Sequence, residues 1–379
     1  MDWTKVSTAL EDASKDGKVF PGAVLLVGRG GEVVYHKAVG SRSVLPVRAE
    51  MAIDTVFDVA SLTKALVTTS LVMQLAQEGK INIDNRISRF FQTFGTYGKE
   101  QMTVRHLLTH SSGYPDVIPF YRRIQEADRA ERAGIMGTRA AAQLVYNDIF
   151  RARLDNMPGK AVKYSDVGFI LLGDVVEVVS GGKTLDRLAT EKIISPLKLR
   201  DSGFIDLSQL KRSGLEPVTE RIAATADCPW RKRVLCGEVF DQNAWVMGGV
   251  AGHAGLFSTA TDVHAIAHEL IECWHGRGSL FSRDIVRYFW TRDDIVPGST
   301  WALGWDTPTK GSSSSGAHFS DLAVGHLAYT GCSLWIDPER ELDVVLLSNR
   351  IHPSTENIKI REFRPLIHDL VMEALGYAG

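Results

Sequence analysis

The sequence predicts an α/β (α+β) protein: an antiparallel sheet flanked by helices, built from both chain ends, with an all-helical domain inserted between them. Three observations carry this. β-rich runs lie at 22–40 and return after about residue 300, the middle of the chain reads as helices with long connections, and an amphipathic helix lies at each end. The expected division is 1–80 with 255–379 for the sheet domain and 81–254 for the mainly helical one. The cleft between them is the expected place for a small-molecule site.

Taken in order, residues 3–15 have the spacing of an amphipathic helix. "GAVLLVGRGGEVVYHKAVG" reads as two strands joined at Arg29-Gly30-Gly31, a hairpin turn. From Ser61 to about Gln77, Leu62, Ala65, Leu66, Val72, Met73 and Ala76 keep a helical stripe, and Gly79 marks its stop. "YSDVGFILLGDVVEVVSGG" is a helix closed by Ser180-Gly181-Gly182. "HLAYTGCSLWIDP" and "ELDVVLLSNR" are late strands, and "FRPLIHDLVMEALG" is a closing helix. The serine-rich "GSSSSG" at 311–316 is expected to be a flexible surface loop.

Composition removes several function classes. With 43 Lys and Arg against 45 Asp and Glu, the net charge of -2 gives no global field for nucleic acid or an anionic membrane. No segment reaches the ~18 uninterrupted apolar residues of a spanning helix. The N-terminus has early acids and no signal-like apolar core, so the expected location is cytoplasmic, or periplasmic or secreted had a leader been removed. Cys228, Cys236, Cys273 and Cys332 fit no CxxC pattern and read as reduced thiols. His264 and His268 lack the H-E-x-x-H order and read as helix-surface histidines; no metal and no cofactor is expected. Nothing in the pattern speaks to oligomeric state.

The chemistry centres on "FDVASLTK". Ser61 and Lys64 are three residues apart, hence on one helical face and within hydrogen-bonding reach. The spacing alone is common: Ser180/Lys183, Ser195/Lys198 and Ser208/Lys211 share it. Only Ser61 opens a long apolar helix, where the positive helix end favours a developing alkoxide. Lys64 is then a charge whose burial requires a reason, and it acts as a base only if its pKa is depressed.

These surroundings resemble the serine β-lactamase-like hydrolases, which include class C β-lactamases, D-alanyl-D-alanine peptidases and family VIII carboxylesterases. "MTVRHLLTHSSGYP", "PGKAVKYSDVGFILLGDVVEVVSG", "NAWVMGGVAGHAGLFSTATDV" and "GHLAYTGCSLWIDP" look like family blocks in order over roughly 350 residues. No G-x-S-x-G supports the α/β-hydrolase alternative. The resemblance implies an acyl-enzyme at Ser61, with Lys64 and Tyr164 of "YSD" moving the proton; Tyr146-Asn147-Asp148 is a decoy with similar letters. It aligns His326-Leu327-Ala328 with the third motif, His326 supplying a second cation beside Tyr164. The Ser61 and Tyr329 backbone N–H groups would form the oxyanion hole. A second alignment on Tyr329-Thr330-Gly331 ranks lower because it leaves His326 without a role.

Two departures bear on substrate. Asp166 stands where the pattern has an amide-donating asparagine; a carboxylate cannot donate and tends to raise the pKa of Lys64. Leu327 stands where the pattern has a threonine whose hydroxyl helps bind a substrate carboxylate. Both favour a short-chain carboxylesterase over a D-alanyl peptidase, D-amino-acid amidase or weak β-lactamase, with a non-catalytic binding module of the same fold as the further alternative. The expected partner is a small ester, amide or lactam. His106, His110 and His253 read as packing residues, and Trp230, Trp245 and Tyr114 as core or pocket aromatics.

Overall fold

The computed structural model describes residues 1–131 and 134–378. In chain order the strands are β1 (Gly22–Arg29), β2 (Glu32–Ser43), β3 (Ala49–Glu50), β4 (Phe57–Asp58), β5 (Gly203–Phe204) and β6 (Ala226–Cys228). They continue with β7 (Arg233–Leu235), β8 (Leu256–Ser258), β9 (Val324–Leu327), β10 (Ser333–Asp337) and β11 (Leu342–Ser348). The main sheet has the order β3-β2-β1-β11-β10-β9, so the two ends of the chain meet at its centre. There β1 and β11 pair antiparallel from Ala23↔Ser348 to Arg29↔Leu342.

β1 is buried along nearly its whole length because helices cover both its faces. Ala23, Leu25 and Val27 face a core completed by Leu10 of helix Thr4–Ser14 and Ile367 of helix Ile360–Ala374. Val24 and Leu26 face a second, larger core that continues into Leu66, Phe169 and Leu172. The expected hairpin turn falls on Gly30 and Gly31, whose φ values of 58° and 82° lie in the region glycine enters without strain.

The inserted segment differs from the all-helical expectation. β5, β6 and β7 lie within it, and β5 joins β8, which joins β4 (Gly203↔Phe257, Phe57↔Ser258). Two-residue strands carry too little pattern to be legible alone. They matter because they stitch the segment preceding Ser61 to the insert by main-chain bonds. The serine-rich stretch also departs from expectation. Ser315 is buried, the Ser314 carbonyl accepts from His368 Nδ1 at 2.8 Å, and Ala317 N–H donates to Asp369 at 2.6 Å.

His264 is not a surface residue. On helix Ala260–His275 it is buried against the sheet, with Nδ1 2.9 Å from the carboxylate of Asp343 on β11. Gly28 lies beneath the pair, where a Cβ would collide with both side chains. Burial alone would lower the His264 pKa, but the Asp343 carboxylate outweighs it and raises it. A raised histidine pKa stabilises the fold fully below about 6.5, and the benefit is lost as pH rises through the folded value. His264→Gln should therefore melt several degrees (about 5 °C) below the wild type at pH 6, and the gap should narrow by pH 9. Thermal denaturation of both proteins at the two pH values reads this; a gap that widens with pH would contradict the ion pair.

Candidate active site

Ser61 sits in the turn between β4 and a helix spanning 62–77, whose hydrogen bonding is π-type over Lys64–Thr69 and α over Ser70–Gln77. Asp58 on β4 shapes that turn. Its carboxylate accepts the Ala60 N–H at 2.9 Å and the Phe240 N–H at 2.7 Å, and Ala60 is held at φ 44°, a strained value for a residue with a Cβ. Burial raises the Asp58 pKa to about 6 against these two donors.

Lys64 has no exposed side-chain surface. Its Nζ donates to Ser61 Oγ at 3.0 Å and to the His253 carbonyl at 3.0 Å. Asp166 Oδ1 lies 2.7 Å away as an ion-pair contact rather than an aligned hydrogen bond. Three oxygens around one nitrogen suit an ammonium, which has three N–H and no lone pair to offer. Burial alone would lower the Lys64 pKa, yet the Asp166 charge, with Tyr164, outweighs it and raises it. The base-making depression that the sequence reading required is thus absent.

Tyr164 and Asp166 flank Ser165, the N-cap of helix Asp166–Val179. Ser165 N–H donates to His110 Nδ1 at 3.1 Å and Ser165 Oγ donates to the Pro115 carbonyl at 2.6 Å, which locks the entry to the helix. Asp166 in the first turn also benefits from the positive helix end. Tyr164 packs on the His110 ring (centroids 4.5 Å apart), with Lys64 Nζ 5.0 Å from its ring centre. Burial raises the phenol pKa, and Lys64 and Ser61 pull it only partly back.

Beyond β9 the chain returns past the nucleophile. Arg364 donates to the carbonyls of Ala328 and Cys332 at 2.9 and 2.7 Å, and Arg350 to that of Tyr329 at 3.0 Å. The Ala60 and Ala328 N–H groups are satisfied internally. Among the described residues, the N–H groups of Ser61 and Tyr329 have no protein acceptor, and both residues line a cavity of about 1120 Å³. His326 also lines it, but not as the expected cation. Full burial and the Lys64 charge push its pKa to about 3, and Nδ1 donates to the Leu327 carbonyl at 2.9 Å.

Asp241 escaped the sequence reading, which also took His253 for a packing residue. Asp241 and His253 share a 2.8 Å contact, His253 Nε2 to Asp241 Oδ1, and both line the cavity. Burial would raise the Asp241 pKa, but His253 outweighs it and holds it at about 2. The letters "FDQNAW" and "AGHAG" show no spacing that links them, so only the fold could. Of the aromatics, Trp230 lines the cavity and Trp245 packs behind it at 5.4 Å, whereas Tyr114 is core, its hydroxyl bonded to the Ile149 carbonyl. The rival Tyr146 is buried elsewhere, its pKa raised by burial and then by Glu177.

A sheet built from both chain ends, with serine, lysine and tyrosine gathered at its edge, defines a β-lactamase/transpeptidase-like serine hydrolase architecture. The β-lactamase family profile matches residues 8–368, and the chain belongs to that family. It is 32% identical over 356 residues to the N-acetylmuramyl-L-alanine amidase of Bacillus subtilis (strain 168), covering 88% of this chain and 78% of that protein. It is 32% identical over 359 residues to a protein of Escherichia coli (strain K12) provisionally named a D-alanyl-D-alanine carboxypeptidase (88% and 79% covered). The solved structure of EstCE1, a hydrolase with promiscuous acyltransferase activity, superposes with a TM-score of 0.71 at 20% identity, over 97% of each chain. No helix among the described residues is long and apolar enough to cross a membrane.

Because Lys64 and Tyr164 both titrate above their ordinary values, whichever must lose a proton does so only at alkaline pH. The kcat/KM for a neutral ester should rise up to about tenfold per pH unit from pH 7 towards 9. Asp166→Asn removes the anion that raises both groups, so its limb should move to lower pH. An unmoved or alkaline-shifted limb would show that Asp166 does not set the proton acceptor.

Proposed function

We propose that the protein is a serine hydrolase acting through an acyl-enzyme at Ser61, with short-chain carboxylic esters as its substrates. The observation that carries this is the Ser61 hydroxyl, 3.0 Å from a buried ammonium, in a large cavity lined by Ser61 and Tyr329, whose N–H groups have no acceptor among the described residues. Ser61 Oγ attacks the acyl carbonyl and the Ser61 and Tyr329 N–H groups receive the oxyanion. Tyr164, as phenolate, takes the Ser61 proton and returns it to the leaving alkoxide. Lys64 remains cationic and stabilises the phenolate and the nascent Ser61 alkoxide. Water then repeats the sequence on the acyl-enzyme, releasing the acid and restoring Ser61.

The cavity chemistry supports an ester over a penicillin or a peptide ending in a carboxylate. Asp116, Asp166, Asp227, Asp241, Asp306 and Glu356 line it against Lys232 as the exposed cation, and Leu327 offers no hydroxyl. Asp166 cannot donate to an amide carbonyl when ionised. The second reading, an amidase or D-alanyl peptidase, is favoured by the names of the relatives at 32% identity.

Turnover of p-nitrophenyl butyrate should exceed that of a chromogenic cephalosporin and of a D-Ala-D-Ala peptide. It should fall about 10³-fold or more in Ser61→Ala and about 10²–10⁴-fold in Tyr164→Phe. A fluorophosphonate should label Ser61 stoichiometrically. Peptide turnover above ester turnover would select the second reading, and an unlabelled Ser61 would select the non-catalytic module.

A further inference from the structure

Arg364 is a buried cation that the mechanism leaves without a task. It lies on the helix Ile360–Ala374, is 6% exposed, and makes no ion pair with a carboxylate among the described residues. Burial, with repulsion from Arg350 and Arg361, lowers its pKa to about 10, so it is still charged at neutral pH. A guanidinium desolvated without an anion is destabilising, and its acceptors do not require it. Arg364 Nη2 donates to the Ala328 and Cys332 carbonyls at 2.9 and 2.7 Å. The Gly331 N–H already donates to the first at 3.1 Å, and the Ala328 N–H to the second at 2.8 Å. Arg364 Nε has no partner among the described residues.

The Ala328 carbonyl belongs to the same peptide group as the Tyr329 N–H. That peptide is trans, so its oxygen and its N–H point to opposite sides. The oxygen is held in the interior by Arg364, while Tyr329 lines the catalytic cavity with its N–H lacking an acceptor among the described residues. We infer that Arg364 is a positioning residue for the oxyanion hole. Its guanidinium fixes the plane of the Ala328–Tyr329 peptide and draws electron density towards the carbonyl oxygen. The Tyr329 N–H thereby becomes a stronger donor to the negative oxygen formed when Ser61 attacks. Linked hydrogen bonds polarise one another, most where the dielectric is low and one donor is charged. The two N–H groups of the hole need this support unequally. Ser61 stands at the head of the helix over 62–77, near its positive end, and its own peptide oxygen, on Ala60, takes the Thr63 hydroxyl at 2.6 Å. Tyr329 lies in the turn between β9 and β10, outside any helix, and Arg364 supplies the positive charge there. The inference rests on Ser61 being the nucleophile and the Tyr329 N–H an oxyanion donor, and adds a residue that does not itself line the cavity.

The experiment compares p-nitrophenyl butyrate with its thiono analogue, in which sulfur, a weak hydrogen-bond acceptor, replaces the carbonyl oxygen. The ratio of kcat/KM for the oxygen ester to that for the thiono ester reads what the N–H donors give the transition state, and any loss of folded enzyme cancels from it. In Arg364→Met, unbranched and uncharged, the ratio should fall about tenfold, with the loss carried by kcat and KM changed by less than about twofold. Arg364→Lys restores a charged donor and should keep the ratio within about threefold of the wild type. Arg364→Gln, neutral but still able to donate, should also lower the ratio, and it decides the matter should the Met variant fail to fold. An unchanged ratio in a folded neutral variant would overturn the inference, as would both rates falling in proportion or a loss confined to KM. So would an Arg364→Lys as impaired as Arg364→Met. With Ser61 labelled by the phosphonate, any of these removes the role of Arg364 alone; an unlabelled Ser61 sinks the hydrolase reading and this inference with it.

Discussion

An ammonium group without exposed surface keeps its charge only when oxygens replace its hydration shell, and Lys64 gathers those oxygens from three parts of the chain. Ser61 lies one turn back, the His253 carbonyl comes from the loop before β8, and Asp166 comes from the first turn of a helix in the insert. Leaving such a charge buried without its partner typically costs about 3–5 kcal/mol. Assembly of the cleft and desolvation of Lys64 are therefore one event. The ion pair also decides the chemistry. In the mechanism proposed above, a lysine held charged cannot accept a proton, so it serves as a fixed positive field and proton transfer falls to Tyr164.

Around this pair the backbone is held stiffly. Asp58 ties the strained Ala60 turn to the segment carrying Phe240 and Asp241, and its own carbonyl accepts from Thr330 at 3.0 Å. Phe240 stacks on Tyr329, with centroids 5.7 Å apart, while Arg350 and Arg364 fix the carbonyls on either side. Among the described residues, this arrangement leaves the Ser61 and Tyr329 N–H groups without a protein acceptor. Preorganised donors of that kind need no reorganisation when negative charge appears in a transition state.

The remaining character of the site is set by anions. A family architecture compatible with lactam, peptide and ester chemistry is here lined by six carboxylates among its apolar and aromatic walls, with a neutral histidine and a leucine on the β9 side. Electrostatic complementarity selects between substrates more strongly than it adds affinity.

Much was legible before any coordinates. Long periodic segments announced themselves: the Gly30-Gly31 hairpin, the stripe from Leu62 to Ala76, and the apolar runs of β10 and β11, since burial on a helix or strand face imposes a repeat on the letters. Spacing in "FDVASLTK" put Ser61 beside Lys64, whereas only the resemblance to the family's second motif joined Tyr164 and Asp166 of "YSD" to them. The two-residue strands were not legible, being too short to carry a period. Nor were the burial of His264 against Asp343 and the convergence of Asp241 and His253 on Lys64, which join residues far apart in sequence. Protonation was the last thing hidden. That Lys64 is charged and His326 neutral follows from which oxygens and charges surround each in a desolvated site, and only the tertiary structure brings those groups within range.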